Sequence, residues 1–231
     1  MLSKQFNLFF FLSILCLTAC SGGGGGHDDS YSGAHDDSLL TFNGFGSDYK
    51  SKGLRVIYSA IDGSPIQIAR DNKVLYSPFR YTFSNYINLA EGVYDLQVNL
   101  TNEPVLSFEL NFSESKRQTL LLCSFGHQVI GMNLFNHENE KSGVAAIRVV
   151  HASFGAERVR AVIDGNEFLT EYCNTSPYYE TSSNQVQVTV YRDVDGMPIF
   201  SQVVELESEK NYSVVIGGNL SEDYFTKILR D

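Results

Sequence analysis

The chain repeats itself. Arg55-Val56-Ile57-Tyr58-Ser59-Ala60 returns as Arg148-Val149-Val150-His151-Ala152-Ser153, and Lys116-Arg117-Gln118-Thr119-Leu120-Leu121-Leu122 returns as Lys210-Asn211-Tyr212-Ser213-Val214-Val215-Ile216, an offset of 93 to 94 residues. Between these ends Asp71-Asn72-Lys73 falls on Asp164-Gly165-Asn166, Tyr86 on Tyr179, and Pro104-Val105-Leu106 on Pro198-Ile199-Phe200. Identities are few, yet strands and turns keep their order across the whole interval. Each copy is therefore expected to be a structural unit of its own.

The periodicity inside each copy sets the fold class. Tyr94, Leu96, Val98 and Leu100 alternate with Asp95, Gln97 and Asn99, and Leu106, Phe108, Leu110 and Phe112 alternate with Ser107, Glu109 and Asn111. A period of two with one polar face marks half-buried strands, and no segment carries an apolar stripe at helical spacing. Asp71-Asn72 and Asp164-Gly165 suit tight hairpins, because these residues tolerate positive φ. Seven to nine short strands per copy predict two tandem immunoglobulin-like antiparallel β-sandwiches. The polar run Asn136 to Gly143 separates them.

The N-terminus reads as an export signal. Lys4 precedes an apolar run from Phe6 to Leu17, about 12 residues and well short of the ~20 that span a bilayer as a helix. Leu17-Thr18-Ala19-Cys20 then resembles the lipobox of bacterial lipoproteins, whose cysteine thiol receives a diacylglycerol and becomes the mature N-terminus. The resemblance implies membrane attachment through Cys20, and Ser21 after it fits sorting to an outer membrane. The Gly-, Ser-, Asp- and His-rich stretch that follows cannot bury enough surface to offset ordering entropy. It is expected to be a disordered tether with a root-mean-square reach of about 30 Å. The expected division is residues 1–19 signal peptide, 20–50 lipidated cysteine and tether, 51–139 first sandwich and 140–231 second sandwich.

Arg148 to Ser153, the Val162-Ile163-Asp164-Gly165 hairpin and Lys210-Asn211-Tyr212-Ser213-Val214-Val215-Ile216 resemble units of the DUF4397 family. These are extracytoplasmic β-sandwich modules of bacterial surface and lipid-anchored proteins. The similarity runs over residues 146–230 and, more weakly, over 54–136, where Tyr58-Ser59-Ala60 stands for His-Ala-Ser. It implies a fold and a bacterial cell-envelope location, and it brings no catalytic residues with it.

Composition narrows the partners. A net charge of −10 argues against nucleic acid and against a polybasic grip on anionic lipid. Cys16 leaves with the signal peptide and Cys20 is lipidated, which leaves Cys123 and Cys173, one in each copy. A bridge between them needs Cα atoms within about 7 Å, so two buried free thiols are expected, with a disulfide as the alternative. No cofactor is implied. His27-Asp28-Asp29-Ser30 recurs as His35-Asp36-Asp37-Ser38, but a flexible segment has no preformed coordination geometry, so His27 and His35 are weak metal candidates and a solvated spacer is expected.

No convergent catalytic set is visible. His151 occupies the place of Tyr58 in the other copy, which points to packing and one hydrogen bond, and no nucleophile-elbow, zinc-binding or phosphate-loop motif occurs. The aromatic cluster Phe79, Tyr81, Phe83 and Tyr86, with its counterpart Tyr172, Tyr178 and Tyr179, offers two roles. Either it fills the sandwich, which is favoured, or Tyr81, Tyr86, Tyr178 and Tyr179 form a surface for a glycan, a peptide or an envelope protein. The expected function is non-catalytic: binding or spacing by a lipid-anchored pair of modules. A glycan- or peptide-binding module is the alternative, and an envelope hydrolase using His151 is the remote one.

Overall fold

Two sandwiches follow one another, of ten and nine strands among the described residues. The computed structural model describes residues 41–42, 53–60, 66–70, 73–76, 82–84, 86–100, 103–112, 117–125, 128–136, 141–220 and 223–231; the signal sequence, Cys20, His27, His35, Phe79 and Tyr81 lie outside them. After β1 (Thr41–Phe42), the first sandwich runs through β2 (Gly53–Ala60), β3 (Ile66–Arg70), β4 (Lys73–Tyr76), β5 (Thr82–Phe83), β6 (Ile87–Asn88), β7 (Gly92–Leu100), β8 (Glu103–Phe112), β9 (Arg117–Phe125) and β10 (Gln128–Asn136). The second runs through β11 (Ala145–Phe154), β12 (Arg158–Ile163), β13 (Asn166–Glu171), β14 (Asn174–Thr175), β15 (Tyr179–Thr181), β16 (Gln185–Arg192), β17 (Pro198–Glu205), β18 (Asn211–Asn219) and β19 (Asp223–Arg230).

The strand orders match. One sheet of each sandwich is β4-β3-β7-β8 or β13-β12-β16-β17, antiparallel throughout. The other sheet has β2 or β11 beside β9 or β18, with β10 or β19 beyond. The expected all-β sandwich architecture is present, its strand pairs antiparallel except for β2–β9 and β11–β18, which are parallel within that second sheet. A parallel pair needs a crossover, and here the four strands of the opposite sheet supply it. Parallel pairs belong in surroundings covered on both faces, and all of β2 and β18 is buried, as is nearly all of β9 and β11.

Two different cores cover those faces. Leu54, Val56 and Tyr58 on β2, with Leu120 and Leu122 on β9, point into the first sandwich against Leu96, Val98, Leu110 and Phe112. Ile147, Val149, Val214 and Ile216 play the same part in the second, against Val159, Ala161, Val188 and Val190. The alternate residues form a third cluster that belongs to both copies: Ile57 and Leu121 from the first, Val150, Ala152 and Val215 from the second. The two central sheets therefore face each other across a shared apolar seam, and the described residues of both sandwiches fall in one compact unit.

Cys123 and Cys173 lie in this seam and are bonded, with Cα atoms 6.0 Å apart. The expectation of free thiols is thereby corrected. Membership of different repeats separates cysteines only if the repeats are beads on a string, and here the seam brings Cys123 on β9 against the turn after β13. Small residues make the room. Gly131 pairs with Cys123 across β9–β10, and a Cβ at Gly131 would stand 2.7 Å from the Cβ of Cys173. In the second copy the sizes are exchanged. Gly217 takes the place of Cys123 and faces Phe225, whose ring would lie 2.3 Å from an added Cβ.

This exchange is testable. Gly217→Ala should destabilise the protein by about 1–3 kcal/mol through overpacking. In a Phe225→Ala background the same change should cost much less, so the two denaturant-midpoint shifts will be strongly non-additive. Additive shifts would show that the ring does not fill the space over Gly217.

Candidate functional site

The structure repeats a small polar unit that sequence comparison did not align. Ser84 Oγ accepts a hydrogen bond from Val56 N at 2.8 Å, and Ser84 N donates to Val56 O at 2.8 Å. Ser176 does the same with Val149, at 2.9 and 2.8 Å. Two residues after each serine a tyrosine covers an arginine of the neighbouring strand. Tyr86 lies 5.0 Å from the Arg55 guanidinium, and Tyr178 lies 4.3 Å from that of Arg148. The counterpart of Tyr86 is therefore Tyr178. Pairing of Ile87 with Leu54 and of Tyr179 with Ile147 sets the register one residue from the match of Tyr86 to Tyr179.

Each arginine is then held by a hydroxyl on the adjacent parallel strand. Arg55 Nε donates to Thr119 Oγ1 at 3.2 Å, and Arg148 Nε donates to Ser213 Oγ at 3.0 Å. Arginine, hydroxyl and tyrosine thus recur as a triplet in both copies, and both triplets face the seam.

They converge on one carboxylate. Arg55 Nη2 donates to Asp231 Oδ1 in an ion pair. Asp231 Oδ2 receives Ser213 Oγ at 2.6 Å, Tyr178 OH at 2.8 Å and Arg148 Nη2 at 3.4 Å. Arg117 Nη1 donates to the Asp231 carbonyl oxygen, and Arg55 Nη1 donates to that of Arg230 at 3.3 Å. The Asp231 side chain is wholly buried, and those of Arg55 and Arg148 are only 3% and 4% exposed. Phe135 of the first copy packs 4.1 Å from the Arg148 guanidinium, closing that side.

The electrostatics follow the distances. Burial works against the charge on Arg55, but Tyr86 and the closely paired Asp231 outweigh it and raise its pKa. Arg148 reaches the carboxylate at longer range; burial dominates there and lowers its pKa, offset in part by Asp231. Burial, reinforced by the Asp231 charge, pushes the Tyr178 hydroxyl up, so it stays a proton donor. Burial likewise raises Tyr86. Fully paired charges of this kind are tolerated inside a protein, and an unpaired one is not.

Other residues singled out from the sequence fall in different places. Tyr86 is buried, and Tyr178 is half-buried with its hydroxyl on Asp231. Tyr179 packs against the second core, so the three described tyrosines point into the fold. His151 is buried, with Nε2 3.1 Å from Ala156 O and Nδ1 3.3 Å from Ser153 Oγ. The carbonyl contact makes Nε2 the protonated nitrogen and leaves Nδ1 to accept from Ser153. Its counterpart Tyr58 shares a hydrogen bond of 2.8 Å with Ser124 Oγ. Among the described residues no group of three or more His, Cys, Asp or Glu could hold a metal ion. Phe125 and Phe154, one from each copy, stack at 5.6 Å and remain 53% and 38% exposed. Neither was a candidate from sequence, because a single aromatic at a strand end carries no periodic signal.

Comparison with known proteins adds the following. Residues 52–162 match the DUF4397 family, a domain of unknown function. That span covers the first sandwich and β11, and it ends within β12. No curated protein matches the sequence. Among solved structures the chain is similar to the crystal structure of CBMbc (family CBM26) from Eubacterium rectale Amy13K in complex with maltoheptaose. Identity is 10% and the TM-score 0.27, over 75% of this chain and 95% of that one. A likeness of that size sets no residue correspondence.

His151 gives this region a pH signature. Burial lowers its pKa from 6.5 to about 4, so the folded protein holds the ring neutral where the unfolded chain would protonate it. Its contribution is fully present above pH 6.5 and is lost as pH falls toward 4. By linkage the loss at the acid end amounts to about 3 kcal/mol. His151→Phe should flatten this part of the stability–pH curve, measured as urea midpoints between pH 7 and pH 4. An unchanged slope would assign the acid sensitivity to other groups.

Proposed function

We propose that the protein is a lipid-anchored component of a bacterial cell envelope, held in the outer membrane through Cys20, that presents two tandem DUF4397 modules as one body and acts by binding or spacing without catalysis. The observation that carries this reading is the Cys123–Cys173 disulfide. A buried bridge in an ordinary chain belongs to an oxidising compartment. It therefore agrees with the export signal and the Leu17–Cys20 motif on independent grounds. The shared strand order of the two sandwiches, over residues 53–136 and 145–230, supports reading the second as another copy of the module matched at 52–162.

The seam bears on what the modules do. Two sandwiches on a flexible link would move independently, whereas a disulfide, an apolar cluster and a buried ion pair fix their relative orientation. A fixed pair suits presentation of one composite surface. Phe125 and Phe154 mark such a surface, since both copies contribute to it and their rings remain exposed. Strands β2 and β9 are parallel, so these rings sit at the end of the body opposite the start of β2 at Gly53. His151, neutral and enclosed, serves packing and not proton transfer.

Cys20→Ser should leave the folded body intact and abolish lipid attachment. The test is incorporation of radiolabelled palmitate together with membrane fractionation of the full chain in a didermic bacterium. The expected result is loss of label and either release of soluble protein or accumulation of the uncut precursor. Full membrane retention of a correctly cut Cys20→Ser chain would overturn the anchor.

A further inference from the structure

The seam holds more donors of one type, aimed at one point, than two packed sheets require. We propose that it contains a carboxylate-binding site, half built by each repeat, and that Asp231 is its ligand supplied in cis.

Both copies supply donors of the same kind. Each copy contributes an arginine from its first long strand, a hydroxyl from the parallel strand beside it and a tyrosine lid: Arg55, Thr119 and Tyr86 in one, Arg148, Ser213 and Tyr178 in the other. Asp231 follows β19, and an offset of 93 to 94 places it on Glu138 or His137, which lie outside the described residues. Among the described residues the Asp231 carboxylate meets donors of both copies.

The geometry is that of carboxylate recognition. Arg55 takes Oδ1, while Ser213, Tyr178 and Arg148 take Oδ2, so each oxygen is addressed separately and both guanidinium groups bear on the same planar anion. Ser213 Oγ also accepts from Arg148 Nε, which orients its proton toward the carboxylate. Charge-assisted donors that are already fixed by other contacts bind without further ordering. Arg55, Arg148 and Ser213 are buried and Tyr178 half-buried, so the interaction is little weakened by salt. The Asp231 backbone is held as well: its N–H donates to Asn211 O at 2.8 Å, extending the β18–β19 ladder by one residue, and its carbonyl oxygen accepts from Arg117 Nη1. The ligand class is a small carboxylate or a carboxylate-bearing side chain.

Asp231→Gly removes a group whose shape is that of acetate, so acetate is the probe. The full chain carrying this variant would be unfolded in urea in sodium acetate and in sodium chloride at matched ionic strength. The midpoint should fall relative to the parent, then rise with acetate along a saturating curve, as ligand linkage demands. Chloride should produce no such curve. If the variant does not fold in buffer, the same titration is read as recovery of the near-UV circular dichroism signal. Asp231→Gly combined with Arg148→Met should lose at least tenfold in apparent acetate affinity. An acetate response no greater than that of chloride would overturn the proposal. So would an Asp231→Asn variant as stable as the parent, because the amide keeps the shape and removes the anion.

Discussion

Strands buried on both faces cannot end a structure; they demand a second layer. β2 with β9, and β11 with β18, are parallel pairs in which almost every residue is buried. One face of each pair is covered by the antiparallel sheet of its own sandwich. The other face would meet water in an isolated module, exposing Ile57 and Leu121 or Val150 and Val215. Burial of one such aliphatic side chain stabilises by about 1.5–3 kcal/mol. The second copy is thus what completes the first.

The seam is graded along its length. Arg55, Thr119, Arg148 and Ser213 lie at one end around Asp231, aliphatic residues fill the middle, and the disulfide closes the other end. Each end fixes a different property. The disulfide restricts the unfolded chain, closing a loop of 50 residues in sequence separation, so it stabilises whatever fold the seam adopts. The ion pair has the opposite character. A buried charge adds little net stability when paired, but its partner left alone costs several kcal/mol. The polar end therefore sets register: any slip of one sheet over the other would strand two guanidinium groups in an apolar layer.

Much of the sandwich architecture was legible, because alternation reports a strand with one solvent face. Tyr94, Leu96, Val98 and Leu100 are buried where the pattern placed them, and Asp164 and Gly165 adopt the positive φ that their hairpin demands. The central strands gave a poorer signal for a physical reason. With both faces covered, their residues need not alternate in polarity, and the arginines that break the apolar run look like strand-end solvation. Each was present at the same position in both copies, and a charge kept in an otherwise apolar strand is the signal that would have exposed the site. Matching the copies by Tyr86 and Tyr179 hid the lid, because the true counterpart is one residue earlier. Asp231 lies beyond the last matched segment, which ends at Ile216, and so had no pattern to be read from. The cysteines misled for the same reason that the repeats informed. Independence in sequence does not imply separation in space.

The two sandwiches present matching faces to the seam, each with an arginine, a hydroxyl and a tyrosine, and the differences between them make those faces complementary. Gly217 opens room for Phe225 in the second, while Gly131 opens room for Cys173 beside Cys123 in the first. Phe225 in turn approaches Phe83 of the first copy, with ring centroids 6.5 Å apart. Because the disulfide lies two residues from Phe125 and one from Tyr172, which meets Phe154 edge-on at 6.3 Å, the same asymmetry assembles the exposed aromatic pair. The composite surface thus depends on the seam being rigid, and the seam is rigid because each copy carries half of its chemistry.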